Sequence, residues 1–370
     1  MKTKKFYCKI LLVLLVSGLL PGTGVLAQQY EKSRALVQSY PTSDETSVQI
    51  INKYGNIHVL PWEEDSIRFE INIKVEANKQ SKVDKTYDNI EIEFSESSYY
   101  VIAQTIFGGK KNAFWADVSD FTSSMLNTGA SAQIDYTVYM PANIELSIEL
   151  KFGSIYMTDH DGKTTVFVAN GDFRGGSFND LDLEHSFGHV VIDSIHTGSL
   201  TMAYSELRLK HAGDIRISSK SSKPEIGSFN SLRLNSKRDT YFFEEAGTIK
   251  GETSFSYLTI ESLNGDLNLE TNYGDLHIGD YGKNFSLMNL KGDYTDVNLV
   301  CGDQPGYSFE AYYNRKTKMI YPAELGSFVN KEIDSDEGEY LLNGQCGLKE
   351  EGAPRIKITL NGGSINLIHH

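Results

Sequence analysis

The sequence predicts an all-β chain, wound as a right-handed parallel β-helix or solenoid of about nine 17–18-residue coils and capped by irregular N- and C-terminal segments. Three observations lead there. One short phrase, aromatic–small–polar–apolar–x–apolar, returns again and again between Phe152 and Leu299. Recurrence at a near-fixed interval marks a repeat architecture, in which each unit packs on its neighbours. The interval is too short for a helix, and 32 Gly against 8 Pro supply small-residue corners without Pro-rich linkers. The expected hand follows from the strong preference of parallel crossovers.

Residues 1–27 read as a secretory leader. Lys2, Lys4, Lys5 and Lys9 form a basic start, Ile10 to Leu20 an apolar core, and Val25-Leu26-Ala27 a small-residue cleavage site. The apolar core is too short to span a bilayer comfortably. Cys8 precedes that core and no Cys follows Ala27 at the cleavage site, so a lipoprotein is not expected. Cleavage removes four Lys and no acid, which moves the net charge from −14 to −18. Such a chain is a poor match for nucleic acid or an anionic membrane surface. No later segment is apolar for long enough to cross a membrane as a helix.

Residues 28–150 read as a β-rich start and cap. Gln28 to Pro41 is polar and reads as frayed or extended. Ile67 to Val75 alternates strictly and predicts a strand with one buried face. Ala77 to Tyr87 lacks alternation and reads as a short surface helix, while Ile90–Phe94 and Tyr100–Ala103 read as strands. Phe107 to Gly129 breaks the pattern with Phe107, Phe114, Trp115 and Phe121. A loop this long is functional or disordered. Its aromatics form a candidate binding loop, weighed against a lid over the end of the core.

Residues 151–300 carry the repeat. The phrase starts at Phe152, Asn170, Phe187, Tyr204, Ser221, Arg238, Phe255, Tyr273 and Tyr294, with gaps of 18, 17, 17, 17, 17, 17, 18 and 21 residues. The apolar columns point inward, and the x residues between them point to solvent. Gly or Ser in the second column fits a corner where φ is positive or the next coil lies close. Three coils depart from the phrase and are expected to be distorted: Pro224 stands at an apolar column, Arg238-Asp239 replaces aromatic-small, and Gly175 replaces the second apolar residue.

Residues 301–370 read as an irregular segment and a final coil. Cys301 and Cys346 are a candidate disulfide, weighed against two free thiols. In the chain-entropy model such a bridge would stabilise by roughly 4 kcal/mol. Arg355 to Leu367 gives two strands, the second in the repeat phrase.

The opening Asn52-Lys-Tyr-Gly-Asn-Ile57, the Val59-Leu-Pro-Trp62 that follows, the long alternating strand and the tandem Phe/Tyr-Gly-Asp/Ser coils resemble the putative-adhesin β-solenoid family of exported bacterial proteins. The resemblance spans residues 47–368. It implies a right-handed single-chain β-helix and a cell-surface role, and it brings no catalytic residues with it.

The chemistry-bearing residues favour no enzyme. Gly265-Asp266 and Gly274-Asp275 lie nine residues apart, but one Gly per unit suits a turn better than a calcium roll. His185, His189, His196 and His211 share no column and have no Cys nearby to complete a zinc set. Asp172, Asp275 and Asp296 share a column without forming a tight carboxylate pair of the glycosidase kind. The expectation is a non-catalytic exported module without cofactor or metal. It would sit in the periplasm or at the cell surface and bind a protein or glycan of the cell envelope. The alternative is a carbohydrate-binding or polysaccharide-active β-helix protein.

Overall fold

The computed structural model describes residues 29–108, 129–281, 285–301, 306–322, 326–346 and 353–369. The leader expected at 1–27 and Phe114, Trp115 and Phe121 of the expected binding loop lie outside them, as do the side chains of Cys301 and Cys346. The described residues form 22 strands and one helix, with all strands in one hydrogen-bonded sheet.

The N-terminal part is built from long alternating strands. β1 (Tyr30–Pro41) pairs antiparallel with β4 (Ser66–Ala77), so the segment expected to be frayed or extended is an extended, paired strand. β4 pairs antiparallel on its other side with β7 (Ala130–Met140). Ile67, Phe69, Ile71, Ile73 and Val75 all point into the core, as their alternation requires. α1 (Gln80–Asp88) rests on this sheet through Val83 and matches the expected helix. β5 (Ile90–Glu96) and β6 (Tyr100–Phe107) form an antiparallel hairpin.

Parallel pairing begins with β2 (Ser47–Asn52), β3 (Ile57–Pro61), β8 (Glu145–Lys151), β9 (Ile155–Met157) and β10 (His160–Ala169). β2 lies between β6 and β8, and β3 between β7 and β9. The chain then runs through β11 (Phe173–Lys220), which bends at each corner, to β12 (Lys223–Lys237) and β13 (Thr240–Ser254). Residues 17 apart pair in register, for example Leu209 with Ile226 and Ile226 with Phe243. β14 (Tyr257–Leu263), β15 (Leu267–Asn272), β16 (Asp275–Tyr281) and β17 (Leu287–Cys301) complete the run.

The expected right-handed parallel β-helix of about nine coils with irregular caps is corrected here. The pairings β13–β14, β14–β16, β16–β17, β17–β15 and β15–β13 are all parallel and return to their start, giving a closed five-strand parallel barrel. The ends are also sheet. β18 (Tyr307–Asn314), β19 (Thr317–Ile320), β20 (Gly326–Asp334) and β21 (Glu339–Cys346) form paired strands, with β18–β21 and β20–β21 antiparallel. β22 (Arg355–His369) joins them to β17. The physical reason is that a short phrase dictates interval and inward–outward alternation only. Closure depends on which edges meet across many residues, and the longer alternating strands at both ends take antiparallel partners.

Of the coils expected to be distorted, the one with Pro224 keeps its register, while the one with Gly175 is irregular: its pairing with β9 ends at Arg174, and the pairing with β10 shifts register between His160 and Lys163. Pro224 is buried and paired with Leu207, where its missing N–H is tolerated at the start of β12. At Gly175 the absent side chain leaves room for the Phe178 ring, which a Cβ there would meet at 2.4 Å. Phe178 packs on Phe173 with centroids 5.9 Å apart.

Candidate functional site

Every repeat turns its corner on a residue in the left-handed region. These residues are Phe152, Asn170, Phe187, Tyr204, Ser221, Arg238, Phe255, Tyr273 and Tyr294, with φ between 48° and 60°. They are the first column of the sequence phrase, one residue before the position that glycine marks. For residues other than Gly, Asn or Asp this conformation costs roughly 1–2 kcal/mol. At Gly153 and Gly171 the next position lacks a side chain for a different reason. A Cβ on Gly171 would lie 1.7 Å from the Gly153 carbonyl oxygen, and one on Gly153 would lie 1.8 Å from that of Gly55.

Large rings therefore occupy the strained corner, and they point outward. Phe187, Tyr204, Phe255, Tyr273 and Tyr294 are each about half exposed, between 49% and 53%. They stack face to face in register: Phe187 on Tyr204 at 5.0 Å, Phe255 on Tyr273 at 5.1 Å, and Tyr273 on Tyr294 at 5.3 Å, all within 9° of parallel. Tyr54 on Phe152 continues the pattern toward the N-terminus at 5.4 Å. The spacing is that of adjacent strands, so the backbone positions the stack.

A buried polar column lies under this edge. Ser205, Ser222, Asp239 and Ser256 are each at most 2% exposed. The Ser205 N–H donates to Ser222 Oγ at 3.2 Å, and the Asp239 N–H to Ser256 Oγ at 3.2 Å. Asp239 accepts four bonds: from the Ser222 N–H at 2.7 Å to Oδ1, and from the Ser219 hydroxyl, the Ser236 hydroxyl and the Lys237 N–H at 2.7, 2.6 and 2.9 Å to Oδ2. Ser219 also meets the Tyr241 hydroxyl, whose burial pushes its pKa far above the ordinary phenol value. Arg238-Asp239, expected to distort its coil, thus makes the most heavily bonded corner of this column.

His185 ends the polar column. Its Nε2 lies 2.9 Å from the Gly171 carbonyl and its Nδ1 lies 2.8 Å from Ser205 Oγ. Burial lowers its pKa below the ordinary value. His189 is exposed beside Asp172 at 3.1 Å. Burial pulls the Asp172 carboxyl upward, but hydrogen bonds from the His189 backbone and ring outweigh it and hold that pKa low. His196 and His211 line one open polar groove with Asp161, Asn179 and Asn230. Asp266 accepts backbone N–H bonds from Ser286 and Leu287 at 2.6 and 2.9 Å, the work of a turn residue. Asp275 and Asp296 are paired in register, and burial together with the neighbouring charge raises the pKa of Asp275. Among the described residues, no three His, Cys, Asp or Glu converge as an ion site.

Of the sequence-picked binding loop, Phe107 alone is described. It is buried against Tyr54, edge to face at 5.7 Å, which makes it a core residue. Phe114, Trp115 and Phe121 lie outside the described residues, and so do the side chains of Cys301 and Cys346. In sequence the first column serves only to mark the repeat. The signal it passed over is that a large aromatic directly before a corner Gly has little room to turn inward.

No protein-family profile and no curated protein matches the chain. Some solved structures resemble it distantly. One, described as a putative adhesin from Bacteroides fragilis, is 13% identical, with 67% of this chain and 97% of that one covered and a TM-score of 0.34. Another putative adhesin, from Parabacteroides distasonis, is 10% identical, with 72% and 92% covered and a TM-score of 0.35. A putative lipid binding protein from the same organism is 11% identical, with 73% and 92% covered and a TM-score of 0.33. Likenesses this distant carry no functional conclusion. Among the described residues, no helix is long and apolar enough to cross a membrane.

Proposed function

We propose that this chain is a non-catalytic, exported binding module of the adhesin type, which engages a protein or glycan of the cell envelope through its aromatic corner. One observation carries the reading. Aromatic residues hold a backbone conformation that costs roughly 1–2 kcal/mol each, yet leave half of each ring in solvent. Asn170 and Ser221 hold the same corner without a ring, so the turn itself does not require one. Rigid exposed rings on a fixed spacing suit recognition, because stacking on them demands little further ordering.

The test is a glycan array run beside pull-down from an envelope fraction, with the intact chain and a Phe187→Asn/Tyr204→Asn/Tyr273→Asn variant. Binding that the variant loses supports the reading. Binding that the variant keeps, or no binding to either class, overturns it. A polysaccharide-active enzyme is the second reading. It is favoured by an open groove that gathers Asp180, Asp182, Asp214, Arg216 and Arg233 on one face. Product release from a polysaccharide panel that is lost in Asp214→Asn would establish it.

A further inference from the structure

The aromatic edge has a break. Between Tyr204 and Phe255 the corner is held by Ser221 and Arg238. Three strand spacings separate the two rings, about 14 Å, and subtracting van der Waals contact at each face leaves room for one or two saccharide rings. The break coincides with a reversal of charge. In a chain of net charge −14, Lys220, Lys223, Lys237 and Arg238 stand at or beside these two corners, while Arg216 and Arg233 lie farther back along their strands in the groove with Asp180, Asp182 and Asp214. Glu225 lies 3.5 Å from Arg208, and Lys223 lies 3.4 Å from Glu206. Lys220 and Lys237 are exposed and directly paired in register, so two like charges stand side by side. Among the described residues, Lys220, Lys237 and Arg238 have no acidic partner within ion-pair distance. Asp239, next to Arg238, is buried and bonded to four donors of its own column.

We propose that this break is a subsite for an acidic polysaccharide bearing carboxylate groups. A sugar ring would stack on the exposed face of Tyr204 or Phe255, with its carboxylate taken by the Arg238 guanidinium beside the Lys220–Lys237 pair. A guanidinium suits the carboxylate because its two parallel N–H groups match the two oxygens. The flanking rings suit the flat apolar face of a pyranose, and the unpaired Lys charges are relieved only by an anion. The proposal deepens the binding-module reading and rests on it.

The experiment titrates the intact chain with polygalacturonate, its fully methyl-esterified form, neutral dextran and dextran sulfate, by calorimetry at low and physiological salt. Polygalacturonate should bind at least tenfold more tightly than the esterified chain. Arg238→Ser, which copies the residue already accommodated at Ser221, should weaken it about tenfold while its circular dichroism stays unchanged. Tyr204→Asn or Phe255→Asn should weaken it comparably, and indifference to both would overturn the subsite. Equal affinity for free and esterified chains, indifference to Arg238→Ser, or dextran sulfate bound at least as tightly as polygalacturonate would overturn the subsite. Corner-dependent binding of a neutral glycan or an envelope protein would sink the acidic ligand while leaving the aromatic corner standing. Loss of every corner-dependent interaction would sink both.

Discussion

Replacing Asp239 tests how the polar column holds the corner. In the native fold this buried carboxylate accepts four hydrogen bonds, two from backbone N–H groups and two from hydroxyls. In Asp239→Asn, Oδ1 still accepts the Ser222 N–H, and the Ser219 and Ser236 hydroxyls rotate to accept from the new amide. The Lys237 N–H cannot rotate and is orphaned, at a cost of about 1–3 kcal/mol. In Asp239→Ala all four donors lose their acceptor; the Ser219 and Ser236 hydroxyls can turn to Tyr241 and Ser256, but the Ser222 and Lys237 N–H groups are orphaned, at about 1–3 kcal/mol each. With a urea m-value of about 3 kcal/mol/M, the Ala variant should unfold at a midpoint about 0.7–2 M lower, with Asn between it and the parent. The assay is urea unfolding followed by far-ultraviolet circular dichroism at pH 7. An Asn variant as stable as the parent would refute the view that the carboxylate organises this corner. So would an Ala variant no worse than the Asn.

Other expectations follow from the same geometry. Gly171→Ala forces a Cβ to within 1.7 Å of a carbonyl oxygen, so soluble yield and urea midpoint should drop sharply, whereas Gly108→Ala, with no atom within 4 Å, should lose only about 1 kcal/mol from its positive φ. Arg238→Gly removes left-handed strain of about 1–2 kcal/mol and adds back about 0.5–1 kcal/mol of chain entropy, so its urea midpoint should rise slightly while polygalacturonate binding falls. His160 and His185 are buried and their folded pKa values lie below the ordinary 6.5. The unfolded chain therefore binds protons more readily, and stability should fall as pH drops below about 6.5. His185→Gln should reduce that fall, as measured by thermal midpoints between pH 7.5 and 5.5.

Much of the repeat could be read from residues alone, because inward and outward positions leave a chemical imprint. Ile155, Val190, Leu207, Leu258 and Leu276 are all buried as their column requires. The helix at Gln80–Asp88 was legible from its lack of alternation. The overall closure was not legible. Which edges join β13 through β17 into a barrel is decided by contacts that no single phrase records. The same limit made Tyr307 to Asn314 look irregular, although its alternation suits a strand paired on both sides. The candidate site was half visible. Its aromatic column served as the repeat marker, while its left-handed backbone and outward direction required coordinates. In sequence Arg238-Asp239 looks like a defect, because a phrase defines its exceptions only by departure.

The central claim is that the corner rings are held for binding and not for folding. The most direct measurement is a Phe187→Asn/Tyr204→Asn chain, compared with the parent in urea unfolding and in ligand titration on the same preparation. Relief of left-handed strain, about 1–2 kcal/mol at each corner, should roughly offset the lost ring stacking of about 0.5–1.5 kcal/mol and the buried half of each ring. A urea midpoint near that of the parent and a loss of binding of tenfold or more are expected. A midpoint lowered by 2 kcal/mol or more in stability, with binding retained by the fraction that folds, would make the rings structural rungs and contradict it.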